Sequence, residues 1–309
     1  MNKKQIIVLD AHTIIYLINS GIIYDEDFVF SLLKKNNFKI VLSEKVMEEA
    51  RRNAKYLINR EKTQEQKNGN FRKDKFIEKE SLIDKKIEAY RSFVMLDSMI
   101  KQELGNDFFK KVTKLSDYKK NNGEFYSAAL SLYLSRLQAR QLTFYTDDAP
   151  AQKALSVFFR DQQIGKIEDS VDLLVLLFWI DPVFNENKMI NYLTELRSQL
   201  RVEIRLLEKS VKHYKNRYPR RKHSQLFKLL SEMERRLSDY DLKRIEELMR
   251  EIFKLRKKYR ELCENLAAFN DAFSKSYLLD KIEYTIKNIK KGLIFKVDRN
   301  KSCIGTMKA

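Results

Sequence analysis

The stretch Gln5-Ile6-Ile7-Val8-Leu9-Asp10-Ala11-His12-Thr13-Ile14-Ile15-Tyr16-Leu17 decides how the rest of the chain is read. A short, unbroken apolar run ends in an aspartate, and an apolar helical period starts directly after it. Such a run suits a strand buried on both faces, the central strand of a parallel sheet. Asp10 then stands at the carboxyl end of that strand, where open α/β sheets place their ligands. Aspartate is also a common helix N-cap, so one such residue does not make a site.

Working outward, the same grammar recurs. Phe38–Leu42 reads as a second strand closed by Ser43, and the helix after it carries Val46, Met47, Glu48, Glu49 and Ala50. Residues 52–81 are rich in charge, with Gly69 among them, and predict a solvated insertion or arm. Helical periodicity returns from Ile83 to Leu104 and again from Phe108 to Leu115. A polar turn, Asn121-Asn122-Gly123-Glu124, opens a helix with small residues at Ser127, Ala128 and Ala129. Gln141–Tyr145 is a third strand ending in Thr146-Asp147-Asp148, and Pro150 sits in the first turn of the helix that follows. Gly165-Lys166-Ile167 supplies a fourth strand before Glu168-Asp169-Ser170 and an apolar helix from Val171 to Ile180.

Composition constrains the partners. The chain has 309 residues and a formal charge of +18, which calls for an anionic partner, nucleic acid first. The charge is uneven: residues 1–184 hold 30 Lys+Arg against 26 Asp+Glu, whereas residues 185–309 hold 31 against 17. Asp181-Pro182 and the polar Asn185-Glu186-Asn187 mark the expected boundary, giving an α/β domain over 1–184 and a basic α-helical region over 185–309. Two cysteines, Cys263 and Cys303, make neither a disulfide framework nor a zinc site and fit a reducing cytoplasm. The longest apolar block, Leu173–Ile180, is far below the roughly 20 residues of a spanning helix, so no membrane role is expected.

The acidic residues need a reason to exist together. Asp10, Asp147 and Asp148 follow strands; Glu49 and Glu124 ride on helices that begin at the same edge. Two like charges 4 Å apart cost about 4 kcal/mol at an effective dielectric near 20, so such a cluster implies a cation or raised pKa values. Oxygen ligands favour Mg²⁺ or Mn²⁺ over zinc. Beside a basic surface, such an ion suits phosphodiester hydrolysis. His12 reads either as a substrate contact or proton donor or as a hydrogen-bonded structural group, Thr146 as a residue that orients a carboxylate, and Asp169 and Asp172 either as helpers of the metal site or as helix N-terminal acids.

Four segments, in order, resemble the acidic motifs of the PIN-domain nucleases: Leu9-Asp10-Ala11-His12-Thr13, Val46-Met47-Glu48-Glu49-Ala50, Asn122-Gly123-Glu124-Phe125-Tyr126-Ser127-Ala128, and Thr146-Asp147-Asp148-Ala149-Pro150. The first takes the Asp-x-His form of some toxin ribonucleases, and the spacing in the second selects Glu49 over Glu48. The resemblance implies a Rossmann-like α/β/α sandwich and metal-dependent cleavage of RNA, favoured over DNA. It also implies Asp10, Glu49, Glu124 and Asp148 as metal ligands, with Asp147 beside them in the catalytic group. The long insertion and residues 185–309 have no counterpart in a minimal domain of this type. A non-catalytic nucleic-acid-binding or assembly protein on the same scaffold is the alternative.

The second region reads as helical. Leu193, Leu196, Leu200, Ile204, Leu207, Val211 and Tyr214 form an apolar stripe; Ile245, Leu248, Ile252, Leu255, Tyr259, Leu262, Leu266, Phe269 and Phe273 form a coiled-coil-like seam. An antiparallel hairpin within one chain is expected, with a coiled-coil homodimer as the alternative. Arg220, Arg221, Lys222, Lys254, Lys257 and Lys258 are the candidate nucleic-acid contacts, tracking phosphates with little base specificity. The competing reading makes this region a docking arm for a protein partner such as an antitoxin or a defence-complex subunit.

Overall fold

The computed structural model describes residues 5–23, 28–67, 72–118, 120–138, 141–239, 241–267, 269 and 276–296. The expected loose tail after Asp298, Gly69 and Phe273 of the seam lie outside the described residues.

Five parallel strands form one sheet: β1 (Gln5–Leu9), β2 (Phe38–Ser43), β3 (Val94–Met95), β4 (Leu142–Tyr145) and β5 (Gly165–Glu168). Their order is β3-β2-β1-β4-β5, so β1 is central and the order of strands along the sheet reverses between β1 and β4. Side chains alternate as the pleat requires. Ile6, Val8 and Phe144 enter one core with the helices α5 (Asp97–Ser116), α6 (Gly123–Gln138) and α7 (Ala149–Asp161). Ile7, Leu9, Ile40 and Leu42 enter the other, against α1 (Ala11–Ile23), α2 (Phe28–Lys35), α3 (Glu44–Lys67) and α8 (Ser170–Ile180). The result is an α/β/α sandwich. Gly165, at φ +146°, begins β5 where an added Cβ would lie 1.9 Å from the Leu142 carbonyl oxygen, so only glycine lets β4 and β5 pair.

Three expectations are corrected. The described residues of the segment 52–81 are helical and not an open arm: α3 runs to Lys67, and α4 (Lys73–Ala89) buries Phe76, Ile83 and Ile87 in the sheet's core. The helix expected over 83–104 breaks into α4, a short 3₁₀ turn at Tyr90–Phe93, β3 and α5. The expected boundary at 184/185 does not interrupt packing. The first half of α9 (Glu186–Arg217) places Met189, Tyr192, Leu193, Leu196 and Leu200 in the same core as Leu9 and Leu177. The last described helix, α13 (Ser276–Lys290), adds Leu278, Ile282, Ile286 and Ile289 to that core.

The remaining helices form a separate bundle. The second half of α9 packs on α10 (Ser224–Ser238), α11 (Ile245–Lys254) and α12 (Arg260–Ala267) around Leu207, Val211, Leu230, Met233, Ile252 and Leu262. The coiled-coil-like seam is cut by a turn at 255–258 between α11 and α12, so α12 folds back and closes a bundle within the chain. Among the described residues, no helix is long and apolar enough to cross a membrane.

Candidate metal centre

The carboxyl edge of the sheet gathers acidic residues at its reversal point, between β1 and β4, where doubly wound sheets open a crevice. Asp10 leaves β1 and is buried. The Thr13 amide donates to its Oδ1 at 2.7 Å, the Thr146 hydroxyl donates to its Oδ2 at 2.5 Å, and the Asp147 amide lies 3.4 Å from the same oxygen. Thr146 thus orients a carboxylate, as expected from the sequence.

Glu49 projects from α3, one turn past the end of β2. The Gly123 amide donates to its Oε2 at 3.0 Å, and the approach is so close that a Cβ on Gly123 would meet that oxygen at 2.5 Å. Glycine at 123 leaves Glu49 undisturbed in this position, and the next residue supplies another carboxylate. Burial pushes the Glu49 carboxyl above its ordinary range, against the pull of the Gly123 amide and of Arg52.

Glu124, in the first turn of α6, carries the strongest signal. Burial raises its carboxyl to about 8, with Asp10, Asp148 and Glu49 adding like charge. Its Oε2 is buried and has no hydrogen-bond partner. Asp10, His12 and Glu124 each offer a ligand atom, and these atoms lie within 4.8 Å of one another. His12 is half-buried and therefore belongs at the mouth of the site. Asp148 is also half-buried, at the head of α7, where its side chain makes no cap hydrogen bond. Asp10 and Glu124 thus come together with His12, and Glu49 and Asp148 stand near enough to add like charge to Glu124.

Asp147 is held differently. It is fully buried, and the Ser170 amide and hydroxyl donate to its two oxygens at 2.9 and 2.6 Å. Burial and the Asp10 charge push its carboxyl upward. Its place is the floor of the site, tying β4 to the start of α8. Asp169 caps α8 in a reciprocal box with Asp172, the role its position at a helix N-terminus suggests.

Several residues at this edge carry no local sequence signal. Lys281 of α13 donates to both Asp169 and Asp172 at 2.6 Å. Gln152 donates to the Thr146 carbonyl at 2.6 Å and to the Tyr277 hydroxyl at 2.7 Å, so α13 is stitched to the loop that carries Asp147 and Asp148. Asp97 follows β3; its carboxyl, raised to about 6 by burial, accepts from the Lys45 amide at the head of α3. Tyr118 holds Asn122 through its hydroxyl, beside the Gly123-Glu124 turn.

The basic candidates stand elsewhere. Arg220, Arg221 and Lys222 occupy the turn between α9 and α10, Lys257 and Lys258 the turn between α11 and α12, and Lys254 ends α11, paired with Glu251. All six are exposed. No protein-family model, curated protein or solved structure matches this chain.

Proposed function

We propose that the chain is a Mg²⁺- or Mn²⁺-dependent nuclease of the PIN-like type, an endoribonuclease in preference to a DNA-cutting enzyme. The observation that carries this reading is the convergence of Asp10, Glu49, Glu124 and Asp148 at the sheet's reversal point, with an orphaned, buried Glu124 oxygen among them. A buried acceptor without a donor costs about 1–3 kcal/mol, and a hard divalent cation supplies what it lacks. The donor set fits: carboxylate oxygens held in place by the Thr13 and Gly123 amides and the Thr146 hydroxyl, with His12 at the rim. Asp10, Glu124 and Asp148 would hold the ion, with Glu49 alongside.

When bound, the ion polarises a phosphoryl oxygen and lowers the pKa of a water molecule. The chain's own part is to fix the ligands before substrate arrives. Thr146 and Thr13 clamp Asp10 from two sides, Gly123 fixes Glu49, and Ser170 locks Asp147 beneath them. Preset ligands need little reorganisation during the reaction.

The test is cleavage of labelled single-stranded RNA and DNA in Mn²⁺, Mg²⁺ or EDTA, with wild type and Asp10→Asn side by side. Cutting is expected with either ion and not with EDTA. Losing several kcal/mol of charge stabilisation in the variant corresponds to a drop of roughly a thousandfold. Equal rates in the two proteins, or binding without cutting by both, would overturn the assignment in favour of a non-catalytic scaffold.

A further inference from the structure

The bundle's two basic turns are one surface. Tyr218, at the end of α9, lies 5.1 Å from Tyr259, at the start of α12, and 5.1 Å from His223, ring centre to ring centre. The His223 ring nitrogen is 2.9 Å from the Tyr259 hydroxyl, and Arg217 pairs with Glu261 at 2.7 Å. This knot pins the turn bearing Arg220, Arg221 and Lys222 against the turn bearing Arg256, Lys257 and Lys258.

Cations on the flanks of the bundle are neutralised by neighbours, as in Lys212–Glu208, Lys215–Glu234, Arg235–Glu232, Arg250–Glu246 and Arg260–Glu264. The six at the tip are exposed and form no ion pair with any described residue. Six like charges held together on rigid turns, with no acid supplied, define a site for a polyanion.

The direction of α9 relates this tip to the carboxylates. α8 starts at the carboxyl edge of the sheet, at Ser170, so α9 begins at the opposite edge and runs back. α13 runs the other way. Its Tyr277 and Lys281 lie at the carboxyl edge, Glu283 meets Arg197 and Arg201 of α9, and Lys296 beyond its end reaches the Asp181 and Phe184 carbonyls. The part of α9 past Ile204 therefore rises beyond the edge that carries Asp10 and Glu124. From Ile204 to Arg217, at 1.5 Å per residue, it rises about 20 Å.

We infer that the two-turn tip is a remote phosphate clamp for a single RNA strand whose other end enters the carboxylate crevice. At about 3.4 Å per stacked nucleotide, the rise of α9 alone corresponds to roughly six nucleotides. The clamp takes its substrate class from the nuclease reading, but it is tested by binding without metal, so failure of cleavage and failure of the clamp are separate results.

Fluorescence anisotropy in EDTA would compare a labelled 20-nucleotide and a 4-nucleotide single-stranded RNA. The proteins are wild type, the triple variant Arg220→Ala, Arg221→Ala, Lys222→Ala, and a control triple, Arg235→Gln, Arg250→Gln, Arg260→Gln, with the same change in charge. For the tip variant, 20-mer affinity should fall about tenfold or more, and the slope of log affinity against log salt should become shallower by about 2, at 0.7 per lost contact. The control triple should change little, and wild type should bind the 4-mer, too short to bridge tip and crevice, more weakly than the 20-mer. An unchanged 20-mer slope would overturn the clamp and leave the tip to a protein partner. Equal losses in the control triple would overturn it too, because net charge and not the tip would then govern binding, and so would a 4-mer that wild type binds as tightly as the 20-mer, because no strand would then bridge tip and crevice.

Discussion

The carboxylate edge and the basic tip solve the same problem in opposite ways. Each crowds like charges into a small space. At the edge, Asp10 and Glu124 are buried, and the crowding is relieved by raised proton affinity and by donors such as Thr13, Thr146 and Gly123. At the tip, Arg220, Arg221, Lys222, Arg256, Lys257 and Lys258 are exposed, and water screens them from one another. Buried like charge stores free energy that pH and metal can release. Exposed like charge stores little, and salt dominates its behaviour.

The largest expected effect follows from that contrast. Glu124 titrates at about 8 in the fold against 4.5 for an exposed glutamate. Between those values the folded chain keeps a proton that the unfolded chain has released. The metal-free protein therefore loses stability as pH rises from about 4.5 to about 8, by on the order of 5 kcal/mol, and levels off above. Urea midpoints in EDTA at pH 5 and pH 8.5 measure this together with the smaller shares of Asp97 and Asp147, whose carboxyls burial also raises, and Glu124→Gln should remove a large part of the difference and leave theirs. A variant with the same pH dependence as wild type would show that the strain is not at Glu124.

Next comes the scaffold of the tip. Leu230 is fully buried in the bundle core, and Leu230→Ala should cost about 3 kcal/mol, within the usual 2–5 kcal/mol for such truncations. Because the bundle has its own core, hydrogen exchange should accelerate in α10–α12 while β1 and β4 stay protected. Uniform acceleration through the sheet would mean that the two cores unfold as one.

A smaller effect is expected where α13 meets the edge. Lys281 is about one-third exposed, so its bridge to Asp169 and Asp172 is partly screened. Lys281→Met should cost about 1–2 kcal/mol, below the 3–5 kcal/mol of a fully buried pair that loses one partner. Thermal melts at neutral pH would read it, and no change would mean that solvent replaces the lysine.

These regions were unequally legible in the sequence. β1, β2 and β4 announce themselves as apolar runs that stop at a polar residue, and three of the four acidic motifs follow those stops; β5 and the Gly123-Glu124 motif are read from turns instead. β3 has two half-buried residues, too few for any period. α4 buries only Phe76, Ile83 and Ile87 among many charges, which makes a packed helix resemble a solvated loop. The seam through Ile252, Leu255, Tyr259 and Leu262 keeps its spacing across the turn at 255–258, because Tyr259 is buried at the mouth of the same bundle core, so periodicity could not reveal the fold-back. Tyr277 and Lys281 meet Gln152 and Asp169 across more than a hundred residues, and no local pattern carries that contact. The tip was visible as two basic runs; that they meet depends on the Tyr218, His223 and Tyr259 knot.

The most direct test of the central claim, that these carboxylates are gathered to hold a divalent cation, is calorimetric titration of Mn²⁺ into the metal-free protein at pH 7 in buffers of different ionisation enthalpy. The account predicts saturable binding to the wild-type chain with proton release, because Glu124 must give up its proton to become a ligand. It also predicts loss of that binding in Asp10→Asn. Binding of equal strength in the variant, or none to the wild type at millimolar Mn²⁺, would contradict it.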